Sequence, residues 1–485
     1  MIAESFSAVA PAGGPSLAAY ADLLQGGRAA WLLARSVAIA AATAALAALI
    51  ALPAAVLLER TDLPLRRLWG AALLVPAIIP PYINAIGWLS TFRGVGGAAW
   101  CVAIMGLSYF PIILIFTRAG LRAIGSDVEE SARLTHPWPL IWLKVTLPMA
   151  SPHALAGGIV VFILAISNFG VPAFLGVNTY PVEALIQFSA FHDIPRAAAV
   201  SMPLVLVSLV LLATQERLMR GREYVAIGTG AASPRTVPLG RMRWLALAGL
   251  GLVLAVAVGV PLCALMVKAA SGAAVQAAWQ TAWRQLLASL TLAAASATLA
   301  VVAFFPLSYS IARGSGVARH ALDLLTLLPF AAPAVLLGIG LIRVWSGITA
   351  GVYGTAVIVV FACVARFSPV AIRAMSASIR QIDPQLEDAA NLEQVSWLRR
   401  AASLLVPVSR PGIAIAWAVV FILSMGELDA TMLVVPPGGA TVAIRIETLM
   451  HYGAGQIVAA LCLMMIAATM IPVAFVAGWL GRTRI

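Results

Sequence analysis

A short acidic pattern occurs twice in this chain, and its residue types suit contact with another protein. The two copies consist of Glu130, Ser131 and Ala132, and of Asp388, Ala389 and Ala390. Small side chains let a helix approach a partner closely, and an acid near a helix N-terminus is favoured by the helix dipole. Tryptophan and leucine follow each copy at helical spacing, which predicts short amphipathic helices lying against another surface.

A single ionisable residue, Glu427, is the second candidate for chemistry. We predict that it lies inside an apolar span, where a carboxylate is costly and often functional. Asn168 is its equivalent 259 residues earlier, so a path between them would be charged on one side. That pattern suits a cation, or a structural ion pair with a partner such as Arg445, and both interpretations stay open. Asp429 is predicted nearer the outer boundary and solvated.

Other polar groups carry less information. His192, Asp193, His451 and Tyr452 are of types that bind iron, but no ligand spacing ties them together, so we interpret them as loop residues. The predicted spans contain neither paired aspartates nor a Ser/His pair. We therefore predict no catalytic residue, no metal site and no cofactor.

Composition shows what must hold these residues in place. Of 485 residues, 62% are hydrophobic and 10% are charged, and the mean hydropathy is +0.98. Soluble proteins carry about 25% charged residues, so the sequence predicts a polytopic α-helical membrane protein. The net charge of +12 is explained by basic loops on the cytoplasmic side, and no nucleic-acid partner is needed.

Hydropathy predicts about eleven spans. They lie near 31–58, 67–91, 97–117, 154–176, 195–214, 244–268, 285–311, 321–345, 352–372, 412–434 and 455–479. Most of the 31 Lys and Arg residues become cytoplasmic when the loop with Arg60, Arg66 and Arg67 faces inward. This orientation puts the N-terminus in the periplasm and the C-terminus in the cytoplasm.

Matched prolines divide the spans into two repeats. Pro53, Arg60, Pro76, Pro80 and Gly87 reappear 253 residues later as Pro306, Arg313, Pro329, Pro333 and Gly340. Prolines kink helices, so two matched sets predict two copies of one bundle. The predicted organisation is a periplasmic segment 1–30, a first repeat 31–215, a cytoplasmic linker 216–243, an extra span 244–268 and a second repeat 269–485.

The doubled pattern resembles the EAA loop of binding-protein-dependent ABC importer permeases, in which an acid and two alanines precede a glycine and then a proline. Pro148 and Pro407 occupy the proline positions, whereas His136 and Gln394 replace the glycine. Glycine there allows a left-handed turn, which other residues adopt less readily. The resemblance implies an all-α membrane protein with about 11 transmembrane helices in two parallel repeats of a five-helix MetI-like permease bundle.

The resemblance also implies partners in the bacterial inner membrane system. The loop helices would couple to two copies of a cytoplasmic ATP-binding subunit, and a periplasmic substrate-binding protein would deliver the cargo. The chain has no GxxxxGK[ST] phosphate loop, so ATP hydrolysis is expected on the partner and the chain itself is not an enzyme.

The cargo is a finer question. The segments 424–431, 436–438 and 445–453 resemble the ferric iron type of fused permease, while permeases for thiamine, polyamines, phosphonates and sulfate remain alternatives. A self-sufficient secondary transporter is the rival from another class. Such transporters place several ionisable groups at midplane, and only Glu427, Asp323 and Arg366 qualify here.

Overall fold

The computed structural model describes residues 27–92, 94–189, 191, 194–219, 236–348, 354–436 and 438–482. The chain divides into an N-terminal unit, residues 2–268, and a C-terminal unit, residues 269–485. The predicted segment 1–30 and linker 216–243 lie largely outside the described residues, as do His192 and Asp193. In the described ranges the only β feature is an isolated bridge between Thr61 and Val237.

Ten helices follow one another through the described part of the N-terminal unit. They are α1 (Arg28–Arg60), α2 (Arg66–Ala72), α3 (Pro81–Thr91), α4 (Ala98–Ala123), α5 (Ser126–Arg133), α6 (Trp138–Ile166), α7 (Gly170–Phe174), α8 (Tyr180–Ser189), α9 (Ile194–Met219) and α10 (Met242–Lys268). A short 3₁₀ turn, Val75–Ala77, lies between α2 and α3.

Nine helices of the C-terminal unit follow the same order as α1 to α9. They are α11 (Gly272–Arg313), α12 (Gly316–Ala331), α13 (Ala334–Ile348), α14 (Val357–Arg380), α15 (Pro384–Leu392), α16 (Trp397–Met425), α17 (Thr431–Val434), α18 (Val442–His451) and α19 (Gly455–Arg482). The helix without a counterpart is α10.

Within the described residues, nine helices are long and apolar enough to cross a membrane, or eleven if two bent pairs each count as a span. The bends are 87° after Ala77 and 101° after Ala331, and Pro80 and Pro333 lie at these breaks. Both prolines belong to the repeated set, so the predicted kinks are confirmed. The prediction of an all-α membrane protein with about eleven spans is confirmed as well.

Two predicted spans begin and end too late. The spans predicted near 154–176 and 412–434 correspond to α6 and α16, which start at Trp138 and Trp397 and end at Ile166 and Met425. The amphipathic loop segment continues directly into each long helix through a π-helical turn, Trp142–Thr146 or Ala401–Leu405. As a consequence, Asn168 and Glu427 lie in the turns that follow these helices and not inside them.

Small residues shape the packing in each unit. The buried face of α1 is rich in alanine, including Ala40, Ala47 and Ala51, and small side chains let membrane helices approach closely. A Cβ on Gly87 in α3 would clash with Pro261 in α10, so this glycine is needed where α10 packs against α3. The extra helix therefore belongs to the N-terminal unit.

The peripheral helices α8 and α18 are attached by equivalent serines. Ser36 of α1 accepts a hydrogen bond of 2.9 Å from the backbone N–H of Tyr180. Ser289 of α11 accepts one of 2.8 Å from the N–H of Val442. Because the first N–H groups of a helix lack partners within the helix, each serine both satisfies a donor and fixes where the helix begins.

Candidate functional site

The predicted residues of the first loop lie on α5 and in the turn after it. Glu130 and Ser131 are exposed, Ala132 is half-buried, and His136 is exposed. Pro148 lies further on, as an exposed residue of α6. The second loop repeats this arrangement on α15 and α16, with Asp388 and Ala389 exposed, Ala390 and Pro407 half-buried, and Gln394 exposed.

The side chain that fixes the first loop is Glu129, one position before the predicted acid. Glu129 is buried and accepts hydrogen bonds of 2.9 Å from Arg60 Nε and from Thr146 Oγ1. Arg60, at the end of α1, also donates 2.7 Å and 3.3 Å bonds to the carbonyls of Leu121 and Ile124. We call Arg60 and Glu129 the N-terminal clamp.

The second loop is fixed in the same way by Glu387. Arg313, at the end of α11, donates to Glu387 Oε1 through Nε at 2.7 Å and lies 2.6 Å from it through Nη2. Nη2 also donates to the Ile382 carbonyl at 2.7 Å, and Tyr309 donates its hydroxyl to Glu387 Oε2 at 2.8 Å. We call Arg313 and Glu387 the C-terminal clamp.

Sequence reasoning missed both clamp glutamates although it found both arginines. Arg60 and Arg313 belong to the repeated set, and Glu129 and Glu387 are separated by the same 258 residues as Glu130 and Asp388. The available signal was that both partners repeat: an unexplained arginine recurs after 253 residues and a glutamate after 258. The glutamates are the only buried side chains of α5 and α15 among those the structure describes.

The turns that end the loop helices differ between the two copies. Gln394 has φ +55°, and the N–H of Val395 donates to the Ala390 carbonyl at 3.3 Å, which is the wide bond of a Schellman motif. His136 is not among the residues with positive φ, and its N–H donates to the Ala132 carbonyl at 3.1 Å. The left-handed turn implied by the family glycine therefore exists in the second loop only.

Apolar side chains project from matched positions of the two loops. Leu134 and Leu392 are 88% and 86% exposed, and Val128 and Leu386 are exposed one and a half turns earlier. Exposed apolar groups next to exposed acids are typical of a surface that contacts another protein. We call Val128, Leu134, Leu386 and Leu392 the exposed loop faces.

A buried charge cluster occupies the turn after α16. Glu427 Oε1 lies 2.6 Å from Arg366 Nη1 and accepts 2.7 Å from the N–H of Ala430. Arg366 Nη2 lies 3.6 Å from Asp429. The partner of Glu427 is thus Arg366 and not Arg445. The prediction that Asp429 is solvated is wrong, because the residue is only 8% exposed beside the same arginine.

Asn168 forms the equivalent turn after α6 without charge. Its Oδ1 accepts 2.9 Å from the N–H of Val171, the counterpart of Ala430, and its Nδ2 donates to the Tyr109 hydroxyl at 3.1 Å. The two turns share one backbone arrangement, so the difference between the units is electrostatic: an amide and a phenol in one, and an ion pair in the other.

The remaining candidate groups do not converge. His451 and Tyr452 are exposed at the end of α18, and His451 Nδ1 lies 3.3 Å from Glu447 Oε1. Burial raises the pKa of Glu447, and the neighbouring His451 opposes that shift. In the part of the chain that is described, no group of three or more His, Cys, Asp or Glu side chains could hold a metal ion.

Comparison with known proteins shows which family has this architecture. The family described as "Binding-protein-dependent transport system inner membrane component" matches residues 16–223 and 304–484. A Haemophilus influenzae protein named Fe(3+)-transport system permease protein is 24% identical over 81% of this chain and 78% of its own length. A second H. influenzae protein, named putative ferric transport system permease protein, is 23% identical over 75% of this chain, which spans 63% of that relative.

A third relative matches part of the chain. A Salmonella choleraesuis protein named putative 2-aminoethylphosphonate transport system permease protein is 29% identical over 41% of this chain and 77% of its own length. The family match covers most of both units, as the internal repeat predicts. The chain belongs to the family of binding-protein-dependent transport system inner membrane components and is a permease of an ABC importer.

Proposed function

We propose that this permease imports ferric iron and that its loop helices are the docking sites for two copies of a cytoplasmic ATP-binding subunit. A periplasmic substrate-binding protein would deliver the cargo to the other side. The observation that carries the docking proposal is the pair of exposed loop faces, which present apolar side chains at matched positions beside Glu130 and Asp388. Both loops then face the cytoplasm, with the N-terminus in the periplasm and the C-terminus in the cytoplasm.

The chemistry of these faces fits a protein cleft. Leu134 and Leu392 would gain about 1.5–3 kcal/mol each by leaving water for an apolar pocket. Glu130 and Asp388 are exposed, so basic groups on a partner can reach them. An exposed acid beside an exposed leucine therefore selects a partner that offers an apolar cleft with a basic rim.

The docking test uses two equally exposed apolar residues. Leu392→Asp should abolish co-purification of the ATP-binding subunit, whereas Val317→Asp, also 86% exposed but outside the loop, should not. Asp388→Arg and Ala390→Trp should also uncouple transport in a folded protein. Normal transport with both of these changes, or equal behaviour of Leu392→Asp and Val317→Asp, would refute the docking assignment.

Two observations support a cationic cargo. Relatives that align with three quarters or more of this chain carry ferric transport in their names. The buried cluster also places two carboxylates, Glu427 and Asp429, beside the guanidinium of Arg366. Carboxylates suit a cation better than an anion. The phosphonate alternative is supported by the relative named for 2-aminoethylphosphonate transport, which aligns with 41% of the chain.

Uptake by cells that express the full importer separates these cargoes. Radiolabelled ferric citrate should accumulate in an ATP-dependent way, and labelled 2-aminoethylphosphonate should not. Glu427→Gln should reduce ferric uptake while the ATP-binding subunit still co-purifies. Accumulation of the phosphonate instead of iron would overturn the cargo and leave the docking proposal intact.

A further inference from the structure

Among the side chains that the structure describes, each loop helix has one that is buried, and in both it is the clamp glutamate. In α5 the described neighbours of Glu129 are exposed or half-buried, and the same is true of Glu387 in α15. A helix attached through a single buried residue has little apolar packing to hold it. Its position is therefore set by the charged contact and not by a hydrophobic core.

The clamp arginines connect three parts of each unit. Arg60 projects from the end of α1, binds Glu129 of α5 and donates to Leu121, near the end of α4. Arg313 does the same from α11, with Glu387 and the carbonyl of Ile382. Guanidinium groups are planar, with donors in a fixed fork, so the loop helix cannot shift along α1 or α11 without breaking several hydrogen bonds at once.

We propose that the two clamps make each loop helix move as one rigid piece with the first long helix of its unit, so that a displacement of the docked loop is passed to α1 or α11. This inference rests on the proposed docking function. The clamp residues are positioning residues: they hold the surface that the ATP-binding subunit contacts. Glu130 and Asp388 are exposed, whereas the glutamates that precede them are buried against the clamp arginines.

The hydrogen bond from a hydroxyl to each glutamate supports a mechanical role over a sequence accident. Thr146 binds Glu129 from α6, while its equivalent in the other unit is Leu405. Tyr309 binds Glu387 from α11, and its equivalent is Val56. Each unit thus supplies the carboxylate with one additional hydroxyl donor, from a different helix. A carboxylate that merely filled space would not need a replacement donor.

A distance measurement tests the proposal directly. Gln385 and Ser310 are exposed on α15 and α11, and spin labels at Gln385→Cys and Ser310→Cys would report the separation of the two helices. The exposed Cys263 is first replaced by serine, since Cys101, Cys363 and Cys462 are buried. The full chain is measured in complex with its ATP-binding subunit, with ADP and with ATP trapped by vanadate.

With an intact clamp, the distance should be the same in both nucleotide states. In Glu387→Gln the distance should change on ATP trapping, and ferric citrate transported per ATP hydrolysed should fall at least about fivefold, the lower end of typical coupling between sites. Glu393→Gln neutralises an exposed acid of the same loop and should alter neither quantity. Arg313→Met with Glu387→Leu removes both charges and should behave like Glu387→Gln even if the single variant folds poorly.

Two results would overturn the clamp. One is a distance that already changes with the clamp intact, and the other is a Glu387→Gln or doubly neutral variant with wild-type distance and transport per ATP. If the wild-type chain fails to bind any ATP-binding subunit, the docking proposal is wrong, and the clamp proposal, which rests on it, is wrong as well. If the variants still bind the ATP-binding subunit and transport a normal amount of ferric citrate per ATP, only the clamp proposal is refuted.

Discussion

The two clamps are the same ion pair in two different surroundings. Arg60 is 1% exposed, and Arg313 has a side chain that is 21% exposed. The N-terminal clamp takes its additional donor from Thr146 beyond the loop, and the C-terminal clamp takes it from Tyr309 on the same helix as the arginine. The difference teaches that the carboxylate contact is fixed in both units, while the residues that satisfy its remaining lone pairs are exchangeable.

The largest expected effect is on the free energy of unfolding, and it should differ between the two clamps because their burial differs. Arg60→Met should lower the free energy of unfolding by about 3–5 kcal/mol, because it leaves Glu129 buried without a countercharge. Arg313→Met should cost less, since water can reach the more exposed site of Glu387. Denaturation in mild detergent measures both values. Arg67→Met, at an exposed position, serves as the control, and equal losses at Arg60 and Arg313 would contradict the comparison.

A smaller effect isolates the additional donors. Thr146→Val and Tyr309→Phe each remove a hydrogen bond to a carboxylate, and such bonds contribute about 1.5–3 kcal/mol. The loss should be greater for Thr146, which is fully buried, than for the half-buried Tyr309. Equal losses at the two positions would contradict the difference in burial.

The smallest effect concerns the turns after the loop helices. A left-handed residue other than glycine costs about 1–2 kcal/mol, so Gln394→Gly should leave stability unchanged or raise it slightly. His136 is not left-handed, and His136→Gly should lower stability by about 0.5–1 kcal/mol because glycine loses more backbone freedom on folding. Thermal unfolding of the two variants in parallel decides the matter, and shifts of the same sign would be unexpected.

Much of the fold could be predicted because membrane spans and repeats leave regular marks in a sequence. The prolines at Pro80 and Pro333 predicted the two bends, and the constant offset predicted matched loops. The clamp acids escaped prediction because two acids stand side by side in each loop. Successive helical residues point about 100° apart, so which acid faces inward depends on how α5 or α15 is rotated about its axis, and the sequence does not show this rotation.

The buried cluster was misjudged for a related reason. The apolar residues 432–435 look like a continuation of the span, yet α16 ends at Met425 and the short helix α17 starts at Thr431. Hydropathy measures how apolar a stretch is and does not show where its backbone turns. Glu427 and Asp429 therefore share Arg366 in one turn, although a straight helix would have placed Asp429 nearer the boundary.

The π-helical turns have a geometric consequence for how each loop faces its surroundings. Trp142–Thr146 and Ala401–Leu405 lie at equivalent points, between the loop and the long part of α6 or α16. A π turn holds one more residue than an α turn, and each residue rotates a helix by about 100°. The rotation of the loop about the helix axis is therefore independent of which sides of the long helix face lipid and which face the core. A single-residue deletion within either turn would rotate the loop by about 100° and turn the clamp glutamate away from its arginine.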